Sequence, residues 1–293
     1  SYRPGWVAGD PNMFSASALV VLPLMLHPET VARRVWQRVA ILGCLFVTLV
    51  SFLLAASRGG FIGLFCMYLV QCRKWSHRFI AIAVCVVIIV GCLLAPSSPL
   101  DRLLKPSASD IESSNIRLQL WSVSGKIFRD HPVFGIGLFN FAKYMHRYLP
   151  PNVDLDFVVP HNTFMEAGVE LGTIGLAVFL SVFFFSIRGL ARIRAVATSI
   201  GDVYFASVTN ALISGLAGFG VAAMFISAKH SKLFWFAVFI SACMPMIFAE
   251  TVEGAASSQQ ESEVPTSTIT EQEQPAPAAE ADPVRVGNWL MHH

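Results

Sequence analysis

His161, Arg58 and Arg117 are the residues of this sequence whose types and settings could do chemistry. His161 stands in PHNTFMEAGVELGTIGL (160–176), just ahead of an apolar run that reads as a helix. A helix N-terminus disfavours imidazolium, so this placement predicts a neutral ring able to take up a proton. Arg58 ends an apolar run in SRGG, where Gly59 and Gly60 would leave it open to a ligand. Arg117 lies one helical turn ahead of Trp121. Arginine's forked donors suit a phosphate, and two cations with one neutral base describe a site for attack on an anionic substrate. Each residue also has a plainer reading. Arg58 could be a snorkelling interfacial arginine, Arg117 a residue on a solvated helix face, and His161 a structural histidine.

The neighbouring motifs carry less. Thr163 and Glu166 have the spacing of a capping box, which predicts Thr163 as N-cap and Glu166 as its reciprocal partner. GIGLFN (135–140) lacks the third glycine of a dinucleotide fingerprint and has no strand–helix frame, so it reads as a tight turn letting backbone approach a ligand or the bilayer. Asp154 and Asp156 could imitate a metal-holding Asp-x-Asp, but two carboxylates in a Pro-rich loop are ordinarily just solvated. His131 before Pro132 reads as structural. No metal site and no cofactor are expected.

These residues have to be positioned by membrane-embedded helices. The chain is 54% hydrophobic and 14% charged, against about 25% charged in a soluble domain. Long apolar runs predict an all-α polytopic membrane protein with about seven transmembrane helices, near 12–28, 36–56, 59–72, 77–95, 163–187, 203–227 and 232–250. The expected organisation is four spans in 1–95, a large loop over 96–162, three spans in 163–250 and a disordered tail over 251–293. All six cysteines lie in or beside apolar runs, which argues against a disulfide framework. The net charge of +2 gives no reason to expect nucleic acid, because the basic residues cluster between spans.

Short-loop charges set the orientation. Arg33, Arg34 and Arg38, then Arg73, Lys74 and Arg78, then Arg188, Arg192 and Arg194 all fall on one side, which is therefore cytoplasmic. The long loop is then extracytoplasmic and the tail cytoplasmic. Lys229 and Lys232 in the turn AKHSK are an exception to the rule. Within the loop, Ser114 or Asn115 is a plausible N-cap, and Ile116, Leu120, Trp121, Ile127 and Phe128 form the apolar face of an amphipathic helix lying on the membrane. Gly59 with Gly63, and Gly168 with Gly172, read as helix-packing pairs.

The ordered set GDPNMFSASALVVLPL (9–24), SRGGFIGL (57–64), Arg117 with Trp121, HPVFGIGLFNF (131–141) and PHNTFMEAGVELGTIGL (160–176) resembles the O-antigen ligase and O-antigen polymerase superfamily of bacterial membrane glycosyltransferases. The resemblance covers roughly residues 9–190. It implies transfer of a glycan from undecaprenyl diphosphate to an acceptor hydroxyl, such as that of lipid A–core, without metal or nucleotide sugar, at the periplasmic face of the bacterial inner membrane. By the same resemblance Arg58 and Arg117 grip the diphosphate and His161 is the base, with Asn162, Glu170 and Trp121 in support. Members carry about a dozen spans, so the resemblance also implies that several N-terminal spans precede Ser1. Polymerisation of repeat units and transfer to protein serine remain open as sister activities. Outside the class stands a transporter of an anion or a lipid-linked sugar. Transporters more often show repeated halves with interrupted helices, and this sequence has no internal repeat.

Overall fold

The computed structural model describes residues 10–27, 32–55, 57–72, 108–149 and 159–262, apart from the side chains of 108–114, 255–256 and 258–262. Among the described residues the regular elements are all helical. They are α1 (Pro11–Met25), α2 (Val35–Ala55), α3 (Arg58–Gln71), α4 (Ala108–Asp130), the short α5 (Phe141–Met145), α6 (Thr163–Ser199), α7 (Val203–Ala222) and α8 (Lys232–Ser262), with a 3₁₀ turn at Ala223–Phe225. The chain divides into two compact units, Ser1–Ser241 and Ala242–His293.

Four helical stretches are long and apolar enough to cross a membrane: Val35–Ala55, Thr163–Ser199, Val203–Phe225 and Lys232–Gly254, with Pro11–Met25 a shorter apolar helix. On α2, Val39, Phe46 and Val47 are each more than 60% exposed. A helix that leaves large apolar side chains outward has lipid as its solvent. The molecule is a polytopic all-α membrane protein. The expected span at 77–95 lies outside the described residues.

α7 is the central post, with Asn210–Leu216 buried throughout. α1, α3 and α6 surround it. Small residues permit the contacts, as the Gly59/Gly63 pairing predicts. A Cβ on Gly63 would lie 2.6 Å from the Gly218 carbonyl, and one on Gly59 would lie 2.8 Å from Phe225 Cβ.

The structure alters expectations at three elements. α4 begins at Ala108, earlier than the Ser114 or Asn115 cap. Its apolar face packs on protein. Leu120, Val123 and Ile127 form a core with Ile136, Phe141, Met145 and Val169, so the loop supplies its own cover. Burying each large aliphatic side chain there contributes about 1.5–3 kcal/mol. α8 runs on to Ser262, beyond the expected span end at 250, and residues 263–293 lie outside the described residues.

The third difference is the largest: α6 is no simple span. Gly172 adopts φ 69° and ψ −167°, far from helical values. In a straight helix Phe164 and Phe179 would stand about 22 Å apart along the axis, yet their ring centroids are 6.1 Å apart. A Cβ on Gly168 would touch Leu176, which likewise belongs to the other side of the break. α6 therefore doubles back into a hairpin of two arms, 163–171 and 173–199.

Candidate functional site

The hairpin turn leaves backbone groups without helical partners, and the loop after α4 takes them up. Ile136 and Gly137 donate their N–H groups to the carbonyls of Val169 and Glu170, at 3.0 and 2.9 Å. Thr173 and Ile174 donate to the carbonyls of Pro132 and Val133, at 2.7 and 3.4 Å. Unpaired backbone groups are costly away from water, so loop and turn complete each other. Gly172 and Gly135 allow it. A Cβ on Gly172 would lie 2.1 Å from the Val133 carbonyl oxygen, and one on Gly135 would lie 2.5 Å from that of Val169. The combination of φ and ψ at Gly172 is open essentially to glycine alone. GIGLFN is thus a tight turn, as its glycines predict, but what it approaches is the backbone of α6 in place of the ligand or bilayer expected. Gly172 serves this hairpin, whereas Gly168 faces both Leu176 of the other arm and Phe128 of α4, in keeping with a packing role.

The expected capping box is absent. Asn162 is the N-cap, its Oδ1 accepting from the N–H groups of Phe164 and Met165, each at 3.0 Å. Thr163 faces elsewhere. Its hydroxyl donates to the Ile226 carbonyl at 2.7 Å and accepts from the Ala228 N–H at 2.8 Å. Glu166 and Glu170, on the same face of the arm, both pair with Lys229, the Glu166 contact at 2.9 Å. The three positions 163, 166 and 170 share one helix stripe, and that stripe binds the 226–231 turn. The lysine that broke the charge rule for loops is thereby explained, because it is buried against two carboxylates.

Three ties bring the predicted residues together. Trp121 Nε1 donates to the Pro160 carbonyl at 2.8 Å, which sets α4 and its Arg117 beside the segment carrying His161. Thr163 fixes that segment to Ile226. Gly59, next to Arg58, packs on Phe225. Ser57 caps α3, its hydroxyl accepting from the Gly60 N–H at 3.1 Å, and thereby holds Arg58 in the first turn. Arg117 and His161 are half-buried, and Arg58 is exposed.

The electrostatics record the same convergence. Burial pushes the His161 imidazole below its ordinary value, the Arg117 guanidinium pushes it further, and Asp10 opposes them. Burial also lowers Arg117, with Asp10 raising it and Arg58 lowering it. The neutral ring expected at His161 is therefore favoured, but for a different reason. Asn162 already occupies the helix N-terminus, and burial and Arg117 act in its place. His161 also has φ 50°, a left-handed conformation uncommon for a residue with a side chain. Such strain costs on the order of 1–3 kcal/mol and tends to mark functional positions.

Asp10 is the member that reasoning from sequence passed over. It caps α1, with Oδ1 accepting from the Asn12 N–H at 2.9 Å and from Asn12 Nδ2 at 3.1 Å. Its signal was available, since orientation alone puts residues 10 and 58 on the same side. Trp121 and Asn162 act on backbone around His161, and Glu170 lies with Lys229 in the hairpin. His131 stacks edge-on against Tyr144, at 5.6 Å, in keeping with a structural role. Among the described residues no group of three or more His, Cys, Asp or Glu could hold a metal ion, and the described cysteines are free. Asp154 and Asp156 lie outside the described residues.

Fold and cluster together define a class: a polytopic helical membrane protein with a half-buried histidine, two arginines and an aspartate gathered at one end of its bundle. Within that class the chain belongs to the O-antigen ligase family, whose model matches residues 17–180. Members of this family are membrane glycosyltransferases. The matched region includes Arg58, Arg117 and His161, whereas Asp10 and Lys229 fall outside it. Among the curated proteins none matches this chain.

Proposed function

We propose that the protein transfers a glycan from undecaprenyl diphosphate to an acceptor hydroxyl at the periplasmic face of the inner membrane, with lipid A–core as acceptor. Arg58 and Arg117 bind the diphosphate. The acceptor oxygen attacks the anomeric carbon as His161 takes its proton. The bond from that carbon to the diphosphate oxygen breaks, and the electron pair leaves with the diphosphate. A single base facing the sugar opposite its leaving group favours inversion. The diphosphate is a good leaving group whose charge the two arginines stabilise, so the reaction needs no metal. The observation that carries this reading is the tie from Trp121 to the Pro160 carbonyl, which sets half-buried Arg117 beside half-buried His161.

The test is transfer in membranes from an undecaprenyl-diphosphate-linked O-antigen repeat to lipid A–core, with and without EDTA. His161→Gln should slow transfer about 10²–10⁴-fold, and EDTA should leave the wild type unchanged. A normal rate for His161→Gln would remove the base; metal-restored loss on chelation would remove the metal-free reaction. The pH dependence has a fixed sign. The working form is neutral and the pKa is lowered, so the rate should hold down to a pH below about 6.5, the ordinary imidazole value, and fall only beneath that.

A further inference from the structure

The 226–231 turn supplies none of the residues just assigned, yet it grips the arm that follows His161 at three positions of one helix stripe. Thr163 bonds to Ile226 and Ala228, and Lys229 enters between Glu166 and Glu170. Lys229 is 9% exposed, and Glu166 and Glu170 are 3% and 2% exposed. Glu166 Oε2 is buried with no hydrogen-bond partner among the described residues. Two buried carboxylates thus face one ammonium, and removing that ammonium leaves both without compensation. The lysine is held in its turn, because Trp235 Nε1 donates to the Lys229 carbonyl at 2.7 Å. Its ammonium also lies 5.4 Å from the centre of the Phe139 ring, and that ring stacks on His230 at 5.1 Å. The same side chain therefore touches the loop that closes the hairpin.

We infer that Lys229 is a positioning residue, a latch that fixes the arm 163–171 and with it the location of His161. The inference rests on the reading of His161 as base. Lys229 itself touches neither donor nor acceptor. Its effect reaches His161 through Glu166, Glu170 and the capped start of the arm at Asn162. Releasing the latch lets the arm shift, and the imidazole gains access to water. The charges facing His161 are Arg117 and Asp10, with Arg58 beyond Arg117. Those facing Lys229 are Glu166 and Glu170, beside His230.

The experiment compares Lys229→Met, Lys229→Glu, and the exchange Lys229→Glu with Glu170→Lys, each in the full chain in membranes. The exchange returns one ammonium among two carboxylates. Three quantities are read: kcat and KM for the undecaprenyl-diphosphate-linked repeat, the acid limb of the pH–rate profile, and carbethoxylation of His161 followed by peptide mass spectrometry. Lys229→Met should lower kcat about 10²-fold, as a misplacement near 1 Å can, with KM unchanged. Its acid limb should move upward toward the ordinary imidazole value, and His161 should label faster. Lys229→Glu should be worse still, and the exchange should recover transfer and protection together. Wild-type kcat and labelling in Lys229→Met would overturn the latch, and so would an exchange variant no better than Lys229→Glu. His161→Gln is measured alongside. If it transfers normally, the base reading falls, and the latch is then judged on the labelling alone.

Discussion

The Gln71 cluster and the His161 cluster are both polar groups set into an apolar bundle, and their partners differ in kind. At the first, Asn210 Nδ2 donates to the Gln71 carbonyl and to Gln71 Oε1, each at 3.1 Å. Ser214 Oγ donates to the same Oε1 at 2.6 Å, and Arg194 donates to Asn210 Oδ1 at 2.9 Å. Complementary donors and acceptors from α3, α6 and α7 meet there, and the group locks three helices together. At the second, two guanidinium groups approach one another beside an imidazole that one of them disfavours charging. Burial disfavours the Arg117 charge, and the Asp10 carboxylate offsets it. One cluster locks the bundle, and on the proposed function the other receives the diphosphate.

That contrast is broken most forcefully at the arginines. Arg117→Ala should abolish transfer while leaving the protein inserted at wild-type level, because half-burial disfavours the guanidinium charge and its loss removes that desolvation cost. Arg58→Ala should do the same. Arg→Lys at either position should rescue poorly, since a point charge loses the bidentate grip on a phosphate. Transfer assays on membranes with matched protein levels decide this. Normal transfer by either alanine variant would place that arginine in the structural class with Gln71.

A smaller effect is expected where the two kinds of role meet, at the hairpin turn. Gly172→Ala sets a Cβ 2.1 Å from the Val133 carbonyl oxygen in a conformation reserved for glycine. Backbone must move, and transfer should fall about 10²-fold through displacement of the arm carrying His161. Limited proteolysis of the loop over 131–140 should quicken in parallel. Unchanged rate and unchanged cleavage would mean that the turn is not fixed as described.

The smallest effect belongs to the Gln71 cluster. Ser214→Ala removes one hydrogen bond to Gln71 and should cost about 0.6 kcal/mol of stability, with no change in transfer. A loss of activity larger than the loss of folded protein would show that the two clusters communicate.

The sequence by itself determined the class, because apolar runs of span length and clustered arginines can be read from local composition without knowing any contact. It also singled out His161, Arg58 and Arg117, since ionisable groups at the ends of apolar runs are expensive and stand out. Tertiary structure decided the rest. Asp10 joins the arginines because α1 and α3 pack at Ser15 and Gly60. Glu166 abandons the cap for Lys229, 63 positions away. The α6 hairpin follows from Gly172 only once the backbone of residues 132–137 is present to satisfy the opened turn. Periodicity in a sequence reports which face of a helix is apolar. It carries no record of a distant backbone arriving to replace the helix's own hydrogen bonds.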